Sequence, residues 1–167
     1  MAAVISDASV LISLASADHL ELLRSLYGTV IIPGIVAREI LGAPGQLPGS
    51  SAVHAALAQQ WMAITEPQNH SLITALSDTL DIGEAHAIAL AAETPGSLLL
   101  IDETDGRAAA KHLGVRVTGT IGVLVRAKKE GHLAALQPLL ARMIAGTQFR
   151  ISRELYERTL RECDEPA

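Results

Sequence analysis

The chain has 167 residues, 49% of them hydrophobic, which suits one globular domain with a substantial core. A formal charge of −5 argues against broad electrostatic capture of nucleic acid. Apolar runs well short of the ~20 residues of a membrane helix argue against insertion in a bilayer, and a single cysteine, Cys163, rules out a disulfide framework or a thiolate metal site.

The first strand is expected at residues 3–6, followed by a helix through Val10, Leu11 and Leu14. Asp18 is expected to cap a second helix, His19–Leu26, which Gly28 closes. Val30-Ile31-Ile32 reads as a buried strand, and Pro33 opens a helix that runs to Leu41 with Gly42 beyond its end. Residues 42–50 form the clearest loop. Helical patterns follow at 51–60 and 69–79, with a short edge strand at Trp61–Ile64 between them. Asp81–Thr94 reads as a strong helix broken by Pro95-Gly96, and Ser97–Ile101 as a strand buried on both faces. A helix at 104–113, a strand at 115–117, helices at 120–130 and 134–145, a final strand at Phe149–Ile151 and a last helix complete the pattern. Residues 163–167 read as a polar tail. Strands alternating with helices predict one three-layer α/β domain over 1–167, with a mostly parallel central sheet.

Four acids stand out because they sit where acids oppose burial unless a positive group joins them. Asp7 and Asp102 each follow an apolar strand, at the sheet edge where open parallel sheets bind ligands. Each could instead cap the helix that follows. Asp105 is a second candidate beside Asp102, as a metal ligand or a water-positioning group. Glu39 shares a helix face with Ile35 and sits beside Val36 and Ile40, where a solvent-facing glutamate is out of place; the alternative is a stem lying over the sheet rim with its carboxylate in water. Glu84 fits a capping box with Asp81, yet it also stacks one turn before Ile88 on the buried side of its helix. Gathered on one rim, the four would supply −4 of the net charge, and two divalent cations would cancel them. The charge balance therefore leaves a polyanionic substrate open. Hard carboxylate oxygens suit Mg²⁺ or Mn²⁺ rather than zinc.

Other signals are weaker. The six histidines are scattered without zinc spacing, so structural or solvated roles account for them. Arg107, Lys111, Arg116, Arg126, Lys128 and Lys129 make the most basic region; it reads either as solvated helix faces or as a phosphate-guiding surface, with Arg107 nearest the acids. Only four aromatics are present, which speaks against a base-stacking platform. Thr118-Gly119-Thr120 opens a helix after a strand; capping explains it, and Thr120 is a candidate for substrate contact. There is no dinucleotide fingerprint or P-loop.

Taken in order, several stretches resemble PIN-domain proteins of the compact VapC-like kind and their less characterised relatives. They are Ile5-Ser6-Asp7-Ala8-Ser9, Val30-Ile31-Ile32-Pro33 leading to Glu39, Gly83-Glu84-Ala85-His86-Ala87-Ile88, and Leu98-Leu99-Leu100-Ile101-Asp102-Glu103. Leu113–Leu124 and Phe149-Arg150-Ile151-Ser152 continue the match, so the resemblance covers essentially the whole chain. It implies a metal-dependent endoribonuclease with Asp7, Glu39, Glu84 and Asp102 as the catalytic acids on Mg²⁺ or Mn²⁺, and Ser9 beside the metal. Glu84 stands where many toxin relatives carry aspartate. The resemblance further implies RNA as substrate, a small antitoxin protein as partner, and self-association, as a dimer. The absence of a secretory pattern at the N-terminus points to the cytoplasm. A non-catalytic PIN-like binding or assembly module is the alternative.

Overall fold

The computed structural model describes residues 2–42 and 47–166. Part of the predicted 42–50 loop, residues 43–46, lies outside the described residues. Leu47–Gly49 form a turn that leads into a helix.

Five short strands make one all-parallel sheet: β1 (Val4–Ser6), β2 (Val30–Ile32), β3 (Met62–Ile64), β4 (Leu98–Leu100) and β5 (Arg116–Thr118), in the order β3-β2-β1-β4-β5. The register pairs Ile5 with Ile31 on one side of β1, and Ser6 with Leu100 on the other. The chain therefore builds outward from β1 in one direction, then returns to its other side. That reversal, between β1 and β4, is the switch point at which open α/β sheets form a crevice.

Strand side chains alternate between two faces, and each face buries its own core. Val4, Ile32 and Leu100 join Leu11, Leu14, Val36, Ile40 and Leu124 on one side. Ile5, Leu99 and Ile101 join Ile88, Leu90 and Ala110 on the other. Helices α1 (Ala8–Ser16), α2 (Glu21–Tyr27), α3 (Gly34–Leu41) and α4 (Ser50–Ala58) cover the first face. Helix α5 (His70–Ser77) packs on α6 (Ile82–Glu93), and α6 covers the second face together with α7 (Thr104–His112). Three later helices, α8 (Thr120–Lys129), α9 (Gln137–Gly146) and α10 (Arg153–Glu162), return to the first face. The predicted three-layer architecture is what the molecule adopts. No helix among the described residues is long and apolar enough to cross a membrane.

Three local expectations need correction. Asp18 does not cap α2, whose N-cap is Leu20 without a side-chain bond. It sits at φ 58° and closes α1: its N–H reaches the Ala15 carbonyl at 3.0 Å, and the His19 N–H reaches Leu14 O at 2.8 Å. That is a Schellman ending with aspartate in the left-handed position. Phe149–Ile151 forms no strand. Phe149 packs against the first core, its N–H bonds to the Thr147 hydroxyl at 3.0 Å, and Ser152 caps α10 through Leu155 N. Within the stretch 163–167, read as a polar tail, Cys163 and Glu165 are anchored to the fold. Cys163 is buried, and Glu165 accepts from Leu136 N and Gln137 N, satisfying open amides at the start of α9.

Candidate active site

Asp7 leaves β1 in extended conformation, and its own N–H still bonds to Leu100 O across the switch point at 3.1 Å. Its carboxylate then turns onto the first turn of α1, where Oδ1 accepts from Val10 N at 3.2 Å and Oδ2 from the Ser9 hydroxyl at 2.7 Å. The capping reading is thus correct, but it is incomplete, because the residue is only 1% exposed. Burial pushes its pKa up to about 7; the bonds from Ser9 and Val10 oppose that, and the negative charges of Asp102 and Glu84 add to it. Two of the other predicted acids, Asp102 and Glu84, therefore lie close enough to act on Asp7.

Asp102 does not cap the helix that follows it; Glu103 is the N-cap of α7 and makes no side-chain bond there. Instead it caps the next crossover. Thr120 N donates to Oδ1 at 2.7 Å and the Thr120 hydroxyl to Oδ2 at 2.7 Å, so α8 is tethered to the end of β4. Gly119 makes this approach feasible: a methyl group there would lie 2.5 Å from Asp102 Oδ1 and 2.9 Å from Arg107 Nη1. Arg107 is held beside Asp102 by its bond to Ile101 O at 3.0 Å.

Glu84 closes the capping box, with Oε2 accepting from Asp81 N at 3.3 Å. Its other oxygen, Oε1, is buried with no hydrogen-bond partner. Burial raises the Glu84 pKa, the Asp81 amide opposes that, and the charges of Asp81, Glu103 and Asp105 raise it further. Gly106 provides the space above it, since a methyl group there would come 3.2 Å from Oε1. Glu39 lies at the outer flank, exposed at residue level, with Oε2 3.0 Å from where a methyl on Gly83 would sit. Its pKa is raised by burial of the carboxyl and then by Asp81.

Asp7, Asp102 and Glu84 thus form an inner group, with Asp105 and Glu103 on the α7 side of Glu84 and Glu39 on the α3 side of α6. The charge of Asp81 acts on both Glu39 and Glu84. Sequence reasoning assigned Asp81 to capping alone; its spacing to Glu84 was visible, but its approach to Glu39 depends on α3 packing on α6. Glycines 83, 106 and 119 were missed as site-builders. Their signal was a glycine in the first turn, or at the N-cap, of the helices that follow these acids.

Among the described residues, no three histidine, cysteine, aspartate or glutamate side chains are drawn together closely enough to hold a metal ion. Asp7, Asp102 and Glu84 each accept hydrogen bonds from uncharged donors. The donor set still fits a hard divalent cation. All its atoms are carboxylate oxygens, one of them lacks any partner, and burial has raised the Asp7 carboxyl in the absence of a positive neighbour.

Residues 3–165 match the family model DUF3368, described as a PIN domain, and the chain belongs to that PIN-domain family. Members of the family are typically nucleases and typically bind divalent metals. No curated protein matches the chain.

Proposed function

We propose that this PIN domain is an endoribonuclease that hydrolyses RNA phosphodiester bonds with Mg²⁺ or Mn²⁺. The observation that carries the reading is the inner group at the β1–β4 switch point. There Asp7 and Asp102 are held by donors from separate helices, and Glu84 offers a buried oxygen with no partner. Asp7, Glu84 and Asp102 would hold the ion, with Glu39 and Asp105 as flanking acids. A divalent cation supplies Lewis-acid stabilisation of phosphoryl charge and a more acidic water. The chain's own contribution is fixation. Ser9 and Val10 orient Asp7, Thr120 orients Asp102, and Arg107 places a guanidinium where the negative phosphodiester would otherwise meet only acids.

Purified protein should cleave RNA with Mn²⁺ or Mg²⁺ and not in EDTA. Asp7→Asn and Asp102→Asn should each lose at least about 100-fold in rate, as expected for groups closer to the ion than its outer-shell supports. Equal activity in all three proteins would assign the cleavage to a contaminant. Mn²⁺ binding without cleavage would favour a non-catalytic binding or assembly module.

Within this proposal the protein acts in the cytoplasm as the toxin half of a toxin–antitoxin pair, as a dimer restrained by a small antitoxin protein. Growth arrest on expression, relieved by co-expressing the product of a small neighbouring gene and absent with Asp7→Asn, is the expected result.

A further inference from the structure

We propose that the outer face of α7 is a phosphate-binding subsite that holds the RNA strand next to the inner acids; the proposal rests on the ribonuclease reading above. An open cleft of about 460 Å³ runs along this face, lined by Thr104, Arg107, Ala108, Lys111 and His112. Arg107 and Lys111 are one helical turn apart, about 6 Å along the axis. Neither pairs with a carboxylate within 4.0 Å among the described residues. A second groove, between α8 and α10, is different: its Arg126 and Lys129 are already paired with Glu130 and Glu162 at 2.7 and 2.6 Å, which leaves Arg158 as its one cation without an ion-pair partner among the described residues. The α7 cleft therefore presents two cations without a direct ion-pair partner, Arg107 beside Asp102 and Lys111 one turn further out, on a chain whose net charge is −5.

Position links this cleft to the reaction. Its inner end is Arg107, whose Nη1 bonds to Ile101 O and would touch any methyl placed on Gly119, as Asp102 Oδ1 also would. A strand laid along α7 would thus reach Asp102 without crossing another element. Composition identifies the ligand group. Tyr27, Trp61, Phe149 and Tyr156 all pack with the core on the opposite face of the sheet, whereas the α7 cleft offers alanine, threonine, Arg107, Lys111 and the single imidazole of His112. With His112 as its only ring and two cations one turn apart, the cleft is better suited to the charged backbone than to a row of stacked bases.

The test is salt-dependent binding of a labelled single-stranded RNA to the Asp7→Asn protein in Mg²⁺, where turnover is blocked. Adding Lys111→Gln should weaken binding about fourfold at 0.15 M salt and lower the slope of log affinity against log salt by about 0.7, the loss of one phosphate contact. Lys111→Arg should retain both values. Arg142→Gln, an exposed charge on α9 in the opposite layer, should change neither. If Lys111→Gln behaves like Arg142→Gln, or if the background protein binds no RNA, the subsite is overturned. The two readings fail separately. Wild-type cleavage with an ineffective Lys111→Gln removes only the subsite, whereas a Lys111 effect on binding without wild-type cleavage removes only the nuclease.

Discussion

Asp7 is the residue at which folding and chemistry conflict most directly. A carboxyl that is 1% exposed carries a pKa of about 7 against an ordinary 3.8, so the folded protein holds its proton more tightly than the unfolded chain. The stabilising contribution is complete below about pH 4 and is lost as pH rises to about 7. The metal-free protein should therefore be less stable at pH 8 than at pH 5. Asp7→Asn should remove most of that difference and be the more stable variant at pH 8, by up to roughly 4 kcal/mol. Urea unfolding in EDTA at the two pH values measures this. A second residue-level prediction concerns Gly119, whose φ of −117° imposes no need for glycine, so only the available space does. Gly119→Ala should displace the Asp102 carboxylate and Arg107, cutting RNA cleavage by up to about 100-fold through misplacement alone. The fold should survive at a cost of about 1–3 kcal/mol, which cleavage and unfolding measured together will show.

At the level of elements, the connection between α1 and α2 tests how helix ends are specified. Asp18 occupies a left-handed position, where glycine is unstrained and β-branched residues are poorly tolerated. Asp18→Gly should raise stability by up to about 1 kcal/mol and Asp18→Val should lower it by about 1–2 kcal/mol, read from urea midpoints. A helix N-cap would respond differently, since glycine there is neutral or slightly worse. The misreading of Asp18 is instructive: aspartate suits both a helix start and a left-handed stop, and only the preceding backbone bonds decide. Strand and helix periods were legible because burial enforces them, as Ile5 and Leu99 facing one core and Val4 and Leu100 the other illustrate. Phe149–Ile151 has the composition of a strand, but whether a sheet edge receives it is a tertiary matter. The acids were legible as singular positions. The Asp7 cap and the Asp81–Glu84 capping box were legible too, but the tether of Asp102 was not, because it is fixed by Thr120, in the third element after β4.

Across the whole molecule, metal, proton and fold should be linked. If the acids bind Mn²⁺ only in the folded state, excess ion at about 100 times its dissociation constant adds about 2.7 kcal/mol. For a chain of this size that corresponds to roughly 5–10 °C in melting temperature. The gain should be larger at pH 8 than at pH 5.5, because the ion competes with the Asp7 proton. It should largely vanish in Asp102→Asn. Thermal melts with and without Mn²⁺ at both pH values provide the check.

The pairing of β1 with β4 also sets when the molecule can become active. Asp7 is made well before its partner strand β4 and Asp102, which emerge only after two other strands and six helices among the described residues. Contacts between such distant segments form late, since chain closure must be met before they contribute. At roughly 5–20 residues per second, the ribosome takes several seconds to make what lies between them. Throughout that interval the nascent chain lacks a complete inner group, so under the proposed ribonuclease function the message still being read would be spared cleavage.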